Sequence, residues 1–245
     1  MSSDRTPGIR VIGRASRRRR APFEGETIAI PVRTRLIRRG DDLPALVVAA
    51  VAGIARPVDV VCLSETAVAI AQGRTIAAET IRPSRLAYVL SRRASALATV
   101  NQPESLQLVI DQVGAWKVAY AALAQVAGRL IRRRGMFYEI LGEAISTIDG
   151  YTGTLPPFDR TIVLGPENPD GVAHQIAAAS GAHVAIVDVN DLGTAKVLGA
   201  SSGLERAAVE DALRANPHGN ADEQTPIVVL KRRSAGPNPF LGSAA

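Results

Sequence analysis

The chain has 245 residues, of which 47% are apolar and 21% are charged, so it can bury a large core and is not an intrinsically disordered protein. Its longest apolar run, residues 43–55, is shorter than the roughly 20 residues that cross a bilayer. No apolar segment follows the N-terminal arginines, so we expect a cytoplasmic protein without a membrane partner. Cys62 is the only cysteine, which excludes an intramolecular disulfide and a multi-thiolate metal site.

The formal charge of +6 is concentrated at the N-terminus, where Arg10, Arg14 and the run 17–20 are accompanied by one acid, Asp4. We interpret residues 1–24 as a basic flexible arm. Such an arm attracts polyanions without reading sequence, which raises the alternative of a nucleic-acid-binding module. Aromatic residues make up 4% of the chain and do not alternate with basic ones, which disfavours that alternative.

In the first third of the chain, residues 27–32 predict a strand, and Asp41 and Asp42 predict the N-terminal cap of a helix that runs to about Ala55. Residues 58–64 predict a largely apolar strand. A short apolar segment, 65–73, and an extended segment, 75–81, lead to the break at Pro83.

The middle third has helical spacing over residues 86–98 and 114–134. In the second of these helices we place five side chains on the inner face, in the core or in a dimer interface: Trp116, Val118, Leu123, Val126 and Leu130. The remaining pattern predicts strands at 136–141, 160–166, 184–189 and 226–231, with helices at 170–180 and 205–215. Residues 233–245 predict a flexible tail.

These elements favour an α/β (α+β) fold in which mixed sheets carry flanking helices. Residues 25–232 would form one domain, which two interleaved subdomains could build. The sequence contains neither a P-loop, nor a G-x-G-x-x-G motif after a strand, nor a G-x-S-x-G elbow. The common phosphate-binding and nucleophile motifs therefore offer no guide to the site.

Four short polar motifs instead stand near the ends of apolar segments, where α/β proteins present groups to ligands. They are Ser64-Glu65-Thr66, Ile148-Asp149-Gly150, the segment 188–193 and the segment 216–220. Asp188 and Asp191 are costly to desolvate together unless a cation or donors compensate them, which favours a hard metal such as Mg²⁺. Asp149, Asn190, Asp191 and Asn220 are ligands of that type, although such residues also cap helices and shape turns. His174, His183 and His218 lack metal-ligand spacing, and we expect each to be a surface or a satisfied histidine.

Several motifs, taken in their order, resemble the coenzyme F420-0:L-glutamate ligase (gamma-glutamyl ligase) family. Gln72-Gly73-Arg74 is similar to the family's Glu-Gly-Arg, and the segment 164–170, LGPENPD, is similar to its Leu-Pro-Glu-Asp-Pro-Asp. Thr147-Ile148-Asp149-Gly150 stands in the place of the family's Ala-Gly-Ile-Asp. The segment 226–232, PIVVLKR, resembles the family's closing strand, so the resemblance extends over about residues 27–232.

The resemblance implies a two-lobed gamma-glutamyl-ligase-like fold and a GTP-dependent acid–amino-acid ligase. In that reaction the terminal phosphate activates a carboxylate of a deazaflavin-type, phosphate-bearing acceptor such as F420-0, and the amine of L-glutamate displaces the phosphate. Mg²⁺ or Mn²⁺ supports the transfer, GTP or ATP is the co-substrate, and the protein is expected to be a homodimer. Phosphoryl transfer depends on positioning and charge neutralisation, which suits a site of this composition.

The resemblance also assigns residues. Asp149 and Asp191 would be catalytic, and the metal ligands would come from Asp149, Asp188, Asn190, Asp191 and Asn220. The nucleotide and acceptor would be bound by Thr34, Arg35, Glu65, Thr66, Arg74, Thr152 and Asn220. Arg33, Arg38 and Arg39 would add positive charge for phosphates or carboxylates.

The sequence departs from the family at four places. A lysine and the serine before it are expected where this chain has Ile70 and Ala69, and an asparagine is expected where it has Thr152. Gln72 replaces a glutamate, and the segment 190–194 lacks the family's arginine. These departures leave a second reading open, in which the chain is a regulatory or binding relative that holds a nucleotide or deazaflavin without catalysis.

Overall fold

The structure is a computed structural model. It describes residues 27–93, 101–130, 132–133, 135–146, 148–149, 156–191, 193–219, 223–232 and 238–241. The predicted basic arm, Thr152 and Asn220 lie outside these residues.

The described elements alternate irregularly between strands and helices. The strands are β1 (Thr27–Val32), β2 (Val60–Ser64), β3 (Thr75–Ala77), β4 (Ile148–Asp149), β5 (Thr161–Leu164), β6 (His183–Val189), β7 (Ala195–Ala200) and β8 (Ile227–Arg232). The helices are α1 (Leu43–Val51), α2 (Glu65–Ala71), α3 (Arg85–Ser91), α4 (Pro103–Val113), α5 (Ala115–Leu130), α6 (Met136–Leu141), α7 (Glu143–Ser146), α8 (Pro169–Ser180) and α9 (Arg206–Leu213), with a 3₁₀ turn at Ala78–Thr80. This composition confirms the predicted α/β class.

The larger sheet has five strands in the order β1-β8-β2-β6-β7. β2 runs parallel to β6 and antiparallel to β8, which is in turn antiparallel to β1. β1, β2 and β6 therefore point the same way and end at one edge of the sheet, which we call the carboxyl edge. It carries the segments 33–42, 64–66, 188–194 and 214–226, of which residues 192 and 220–222 lie outside the described part of the chain.

Both faces of this sheet are covered, as the apolar character of its strands requires. The alternation of β2 shows how: Val61 and Leu63 pack under α1, α2 and α8, while Val60 and Cys62 face α9. Cys62 is fully buried, and burial raises the pKa of its thiol. It acts as a small core side chain, as its sequence context predicts.

A smaller three-stranded sheet, in the order β3-β5-β4, joins this core to a group of helices. Ile162 of β5 packs into a cluster built by α3 to α7, whereas Val163, on the other face, belongs to the core of the large sheet. β5 therefore connects the two cores through opposite faces of one strand. The two-lobed description of the fold stays a prediction.

The predicted strand at residues 136–141 is wrong, because this segment is helix α6. Its apolar side chains Phe137, Ile140 and Leu141 follow a three-and-four spacing and pack on the helical cluster. Gly135 and Gly142, with φ of 88° and 54°, bound the helix on either side. Residues 65–71, whose type the sequence left open, also form a helix, α2.

Helix α5 exists as predicted, but the predicted inner face is only partly right. Val118 is buried, whereas Trp116, Leu123 and Val126 are 84%, 69% and 60% exposed. The side chain of Leu130 lies outside the described residues. The error arises because the helix carries apolar residues around its whole circumference, so that spacing alone does not select the buried side.

Residues 238–241, which the sequence placed in a flexible tail, are packed against the large sheet. Phe240 is 1% exposed in the α9 cluster, and its carbonyl accepts a hydrogen bond from the Glu205 amide at 2.7 Å. Asn238 Nδ2 donates to the carbonyl of Val58 at 2.8 Å. No helix in the described parts of the chain has the length and apolarity needed to span a membrane.

Candidate functional site

The loop 214–226 connects the other loops of the carboxyl edge. The Thr34 amide donates to the carbonyl of Gln224 at 3.1 Å, and the Ser64 amide donates to that of Pro226 at 2.9 Å. Asn216 Nδ2 donates to Asp191 Oδ1 at 2.6 Å. Polar segments that the sequence could only list separately therefore meet at one edge, where parallel strands end.

The acidic part of this edge is the turn between β6 and β7. Asn190 Oδ1 accepts a hydrogen bond from the Thr194 amide at 3.2 Å, and the Asn190 amide donates to the Thr194 carbonyl at 3.0 Å, which closes the turn. Asp188 is half-buried; burial raises the pKa of its carboxyl group, and the neighbouring Lys196 opposes that shift. Asp191 is exposed, and its carboxylate accepts a hydrogen bond from Asn216. The turn thus presents one half-buried and one exposed carboxylate.

The sequence did not single out Asn216, and the prediction of a surface or satisfied histidine at position 218 is not confirmed. Asn216 adopts φ of 47°, is 9% exposed, and its Oδ1 has no hydrogen-bond partner among the described residues. His218 is neither a surface histidine nor a fully satisfied one: it is buried, and within the described chain its Nε2 has no partner. The sequence places Asn216 in a polar motif, but its left-handed backbone and its contact with Asp191 are visible only in the structure.

His218 has a defined tautomer, because its Nδ1 lies 3.1 Å from the carbonyl oxygen of Thr225, which can only accept. Nδ1 therefore carries the proton and Nε2 is an acceptor. Burial lowers the pKa of the ring to about 4, which the contact with Thr225 opposes. The Thr225 hydroxyl donates to the carbonyl of His218, which fixes the loop further.

The basic part of the edge is the loop 33–42. Arg35 makes a two-point contact with Asp41, Nη1 to Oδ2 at 2.7 Å and Nη2 to Oδ1 at 2.9 Å. Hydrogen bonds from Arg35 and from the Arg38 amide lower the pKa of Asp41, and the contact raises that of Arg35. The side chains of Arg33, Arg38 and Arg39 are exposed, so the loop carries positive charge toward solvent.

The two central motifs of the family resemblance contact each other. Gln72 Nε2 donates to the carbonyl of Glu167 at 2.8 Å, and Gln72 Oε1 accepts from the Glu167 amide at 2.8 Å. Arg74 Nε donates to the Gly165 carbonyl at 2.5 Å, and its guanidinium pairs with Glu167. A glutamine is suited to this place because its amide both donates and accepts, which a glutamate would not do.

The same unit contacts the basic loop at Gly73. The Gly40 amide donates to the Ala71 carbonyl at 2.8 Å, and a Cβ on Gly73 would lie 2.7 Å from Arg39 Nε. Gly73 also adopts φ of 73°, and this backbone conformation favours glycine, whereas the flexible Arg39 side chain can move aside. The basic loop, the 72–74 motif and the 164–170 motif are therefore one contiguous structure.

Other predicted site residues are distributed as follows. Glu65 and Thr66 begin α2 at the carboxyl edge, both half-buried. Asp149 lies in β4 of the smaller sheet, paired with Val163, and its side chain lies outside the described part of the chain. Ile70, where the family's lysine is expected, is 8% exposed in the core. That position therefore faces away from solvent.

The donor set of the acidic turn matches a hard cation in chemistry, since Asp188 and Asp191 supply carboxylate oxygens and Asn190 an amide oxygen. Within the described residues, no three His, Cys, Asp or Glu side chains come together as a metal-binding group. The turn therefore brings together three of the residues that the resemblance assigns to a metal. Asp149 and Asn220 are the residues that would complete it by the resemblance.

A sequence model of the F420-0:gamma-glutamyl ligase family matches residues 31–191 of this chain, which is more than half of its length. The chain belongs to the F420-0:gamma-glutamyl ligase family. The match contains the basic loop, the 72–74 and 164–170 motifs and residues 188–191 of the acidic turn, whereas the loop 214–226 lies beyond it. No curated protein matches the chain. This gamma-glutamyl ligase family member therefore adds the loop 214–226 to the region that the family model matches. Only the contacts of that loop indicate its function.

Proposed function

We propose that the protein is a nucleotide- and metal-dependent ligase that forms an amide between L-glutamate and a phosphate-bearing acceptor such as F420-0. The observation that carries this proposal is the family match over residues 31–191. It is supported by the carboxyl edge, where an acidic turn and a loop with exposed arginines leave the same side of the sheet. Cytoplasmic location and a homodimer belong to the same proposal.

In the proposed reaction a carboxylate oxygen of the acceptor attacks the terminal phosphorus of GTP or ATP, and the nucleoside diphosphate leaves. The amine of glutamate then attacks the acyl carbon, phosphate leaves, and the nitrogen loses one proton. The exposed arginines of the loop 33–42 would bind the anionic groups. Thr34, Glu65, Thr66 and Arg74 would position the nucleotide and acceptor, since phosphoryl transfer depends on orientation.

The acidic turn would hold Mg²⁺ or Mn²⁺ through Asp188, Asn190 and Asp191, together with Asp149 and Asn220. The cation would neutralise phosphate charge, and its carboxylate ligands would be protected from mutual repulsion. Asn216 would orient Asp191, because its Nδ2 already donates to Oδ1 of that carboxylate.

The test is turnover by the full chain with Mg²⁺ or Mn²⁺, GTP or ATP, glutamate and F420-0, with release of nucleoside diphosphate and amide formation measured together. We expect the two to be coupled and both to require metal. Asp191→Asn should lower kcat by about 100-fold or more, since it removes charge where transferred phosphate is bound. Asp111→Asn, in an exposed side chain of α4, is the matched control and should leave kcat unchanged. Nucleotide release that ignores both metal and acceptor would contradict the proposal.

A second function, ligand binding without catalysis, is favoured by one observation: Ile70 is buried in the core where the family's lysine is expected. A phosphate-binding lysine contributes strongly to charge neutralisation, so its loss would lower catalysis more than binding. Calorimetry with GTP and with F420-0 separates the readings. Binding in the micromolar range without turnover, for wild type and Asp191→Asn alike, would support this second function.

A further inference from the structure

The outer face of α5 is apolar and aromatic. Trp116, Tyr120 and Leu123 are 84%, 58% and 69% exposed, and Val126 beside them is 60% exposed. We call these four residues the α5 stripe. Helical spacing places them on one side of α5, opposite the buried Val118. No described element covers the stripe, and exposed apolar residues that adjoin one another mark interaction sites in soluble proteins.

The charged side chains around the stripe are cationic. Lys117 is exposed next to it, and Arg132 is exposed just after the helix ends. α3 packs beside α5 in the same core cluster and exposes Tyr88 and Val89 by 47% and 50%. The charged residues of α3 and of the two positions that follow it are all exposed arginines: Arg85, Arg92 and Arg93. Neither α3 nor α5 contains an acidic residue.

This distribution of charge selects the class of partner. A second copy of the same face would bring cations against cations, and so would the arginine-rich first twenty residues of the chain. The complementary surface is therefore anionic. Leu123 and Val126 require that it also accept aliphatic side chains, which the phosphates and bases of a nucleic acid do not. A bilayer of anionic phospholipids meets both conditions, because its charged headgroups lie directly above acyl chains.

The residue types of the stripe are those that occupy the interface between membrane and water. The rings of Trp and Tyr are apolar and carry one polar group, and they lie at the level of the headgroups. Lysine and arginine beside them bury their aliphatic stems and keep the charge among the phosphates. The expectation of no membrane partner concerned segments that span or target a bilayer, whereas a surface contact requires neither.

We propose that the protein binds peripherally to anionic phospholipid bilayers through the α5 stripe. The stripe would enter the boundary between headgroups and acyl chains, and Lys117 and the arginines of α3 would contact the headgroups. This inference goes beyond the proposed ligase and does not depend on turnover. Its test uses neither nucleotide nor acceptor, so its failure and that of the ligase proposal are distinguishable.

Trp116 is the only tryptophan, so its fluorescence reports on the stripe directly. The experiment titrates the full chain with vesicles of phosphatidylcholine that contain about 30% phosphatidylglycerol. We expect the emission to shift to shorter wavelength, and lipid brominated on the acyl chain to quench it, because the indole leaves water for the interface. Affinity should fall by about 10-fold or more between about 0.05 and 0.5 M salt, and by a similar factor on pure phosphatidylcholine.

Two variants with the same change of charge locate the contact. Leu123→Glu places a carboxylate in the stripe and should lower the vesicle affinity by about 100-fold and abolish the shift. Val58→Glu, at a residue 55% exposed on the turn before β2, is the matched control and should bind vesicles as wild type does. Far-UV circular dichroism checks that both are folded. Quenching of the wild-type chain by brominated lipid tests the proposal without any variant.

Co-sedimentation with vesicles alone would not decide the question, because the basic arm also attracts anionic surfaces. Vesicle binding that leaves the Trp116 emission unshifted would overturn the proposal, since the arm would then be the contact. So would full vesicle affinity in Leu123→Glu, or an equal shift on pure phosphatidylcholine. A shift that appears with protein concentration alone, or with soluble polyglutamate, would also overturn it, because a second copy or an acidic protein would be the occupant.

Discussion

His218 is kept neutral by its surroundings, because the Thr225 carbonyl fixes its tautomer and the loop 214–226 excludes water from the ring. Protonation of His218 would place a buried cation in this loop, and no charged group among the described residues offsets its burial. The lowered pKa, about 4, is the thermodynamic expression of that cost. The residue therefore links the conformation of the loop to pH.

We predict that this linkage is visible in stability. The unfolded chain takes up a proton at this histidine as the pH falls below about 6.5, whereas the folded chain does so only near 4. The contribution is fully present above pH 6.5 and is lost as the pH falls toward 4, by roughly 3 kcal/mol in total. His218→Asn retains a donor for Thr225 and should flatten this dependence, as measured by urea unfolding with EDTA from pH 7 to 4.

His174→Asn provides the comparison, since that ring is exposed and its substitution leaves the buried loop around His218 intact. An unchanged slope in His218→Asn would show that His218 is protonated equally in both states. The loop would then be open to water in solution, although the His218 ring is buried in the structure.

At the scale of elements, the contact between α8 and β7 is set by one glycine. A Cβ on Gly199 would lie 2.2 Å from the carbonyl carbon of Pro169 and 2.4 Å from its oxygen, so the first turn of α8 rests on the backbone of β7. Asp170 Oδ1 accepts from the Ala200 amide at 2.9 Å and from Arg206 at 2.6 Å, which ties strand, helix and α9 together. The close approach is therefore part of a larger junction.

We predict that Gly199→Ala destabilises the protein by about 3 kcal/mol, because backbone, not a flexible side chain, would have to move. Gly181→Ala is the matched comparison: its surroundings are open, its φ is 71°, and the cost should be about 1 kcal/mol from backbone strain alone. Chemical denaturation measures both. Faster hydrogen exchange at the Ala200 amide should accompany Gly199→Ala only, and equal costs would mean that α8 adjusts freely.

Four strands of the large sheet, β1, β2, β6 and β8, could be predicted, because they are apolar runs bounded by turn residues. α6 was not, because six residues containing Phe137, Tyr138 and Ile140 have strand propensity, and helical packing against α5 overrides it. β7 was missed because Lys196 and Gly199 dilute its pattern. The exposed side of α5 depends on neighbours that no local spacing reveals.

At the scale of the whole molecule, the sequence predicted the polar motifs but not their arrangement. Asp188, Asn190 and Asp191 could be proposed as a group because they are adjacent in sequence. That Asn216 reaches Asp191 across 25 positions depends on the order β8-β2-β6, which brings the loop 214–226 beside the acidic turn. Asp149 belongs to the other sheet, a division that the sequence did not indicate.

Residues 238–241 join distant parts of the chain. Asn238 bonds to the backbone at Val58, 180 positions earlier, and Phe240 fills the core between α9 and the large sheet. This is the same face that Val60 and Cys62 of β2 line, so the segment completes the covering of a central strand. Its packing is therefore a property of the whole fold, although its sequence reads as a tail.

We predict that Phe240→Ala lowers the free energy of unfolding by about 3–5 kcal/mol, the cost of a large cavity in a close-packed core. Leu241→Ala, in the next and only partly buried side chain, should cost about 1 kcal/mol. Urea unfolding followed by far-UV circular dichroism measures both and does not depend on the exposed Trp116. If Phe240→Ala costs no more than Leu241→Ala, residues 238–241 leave the surface in solution, and α9 alone covers that face of the sheet.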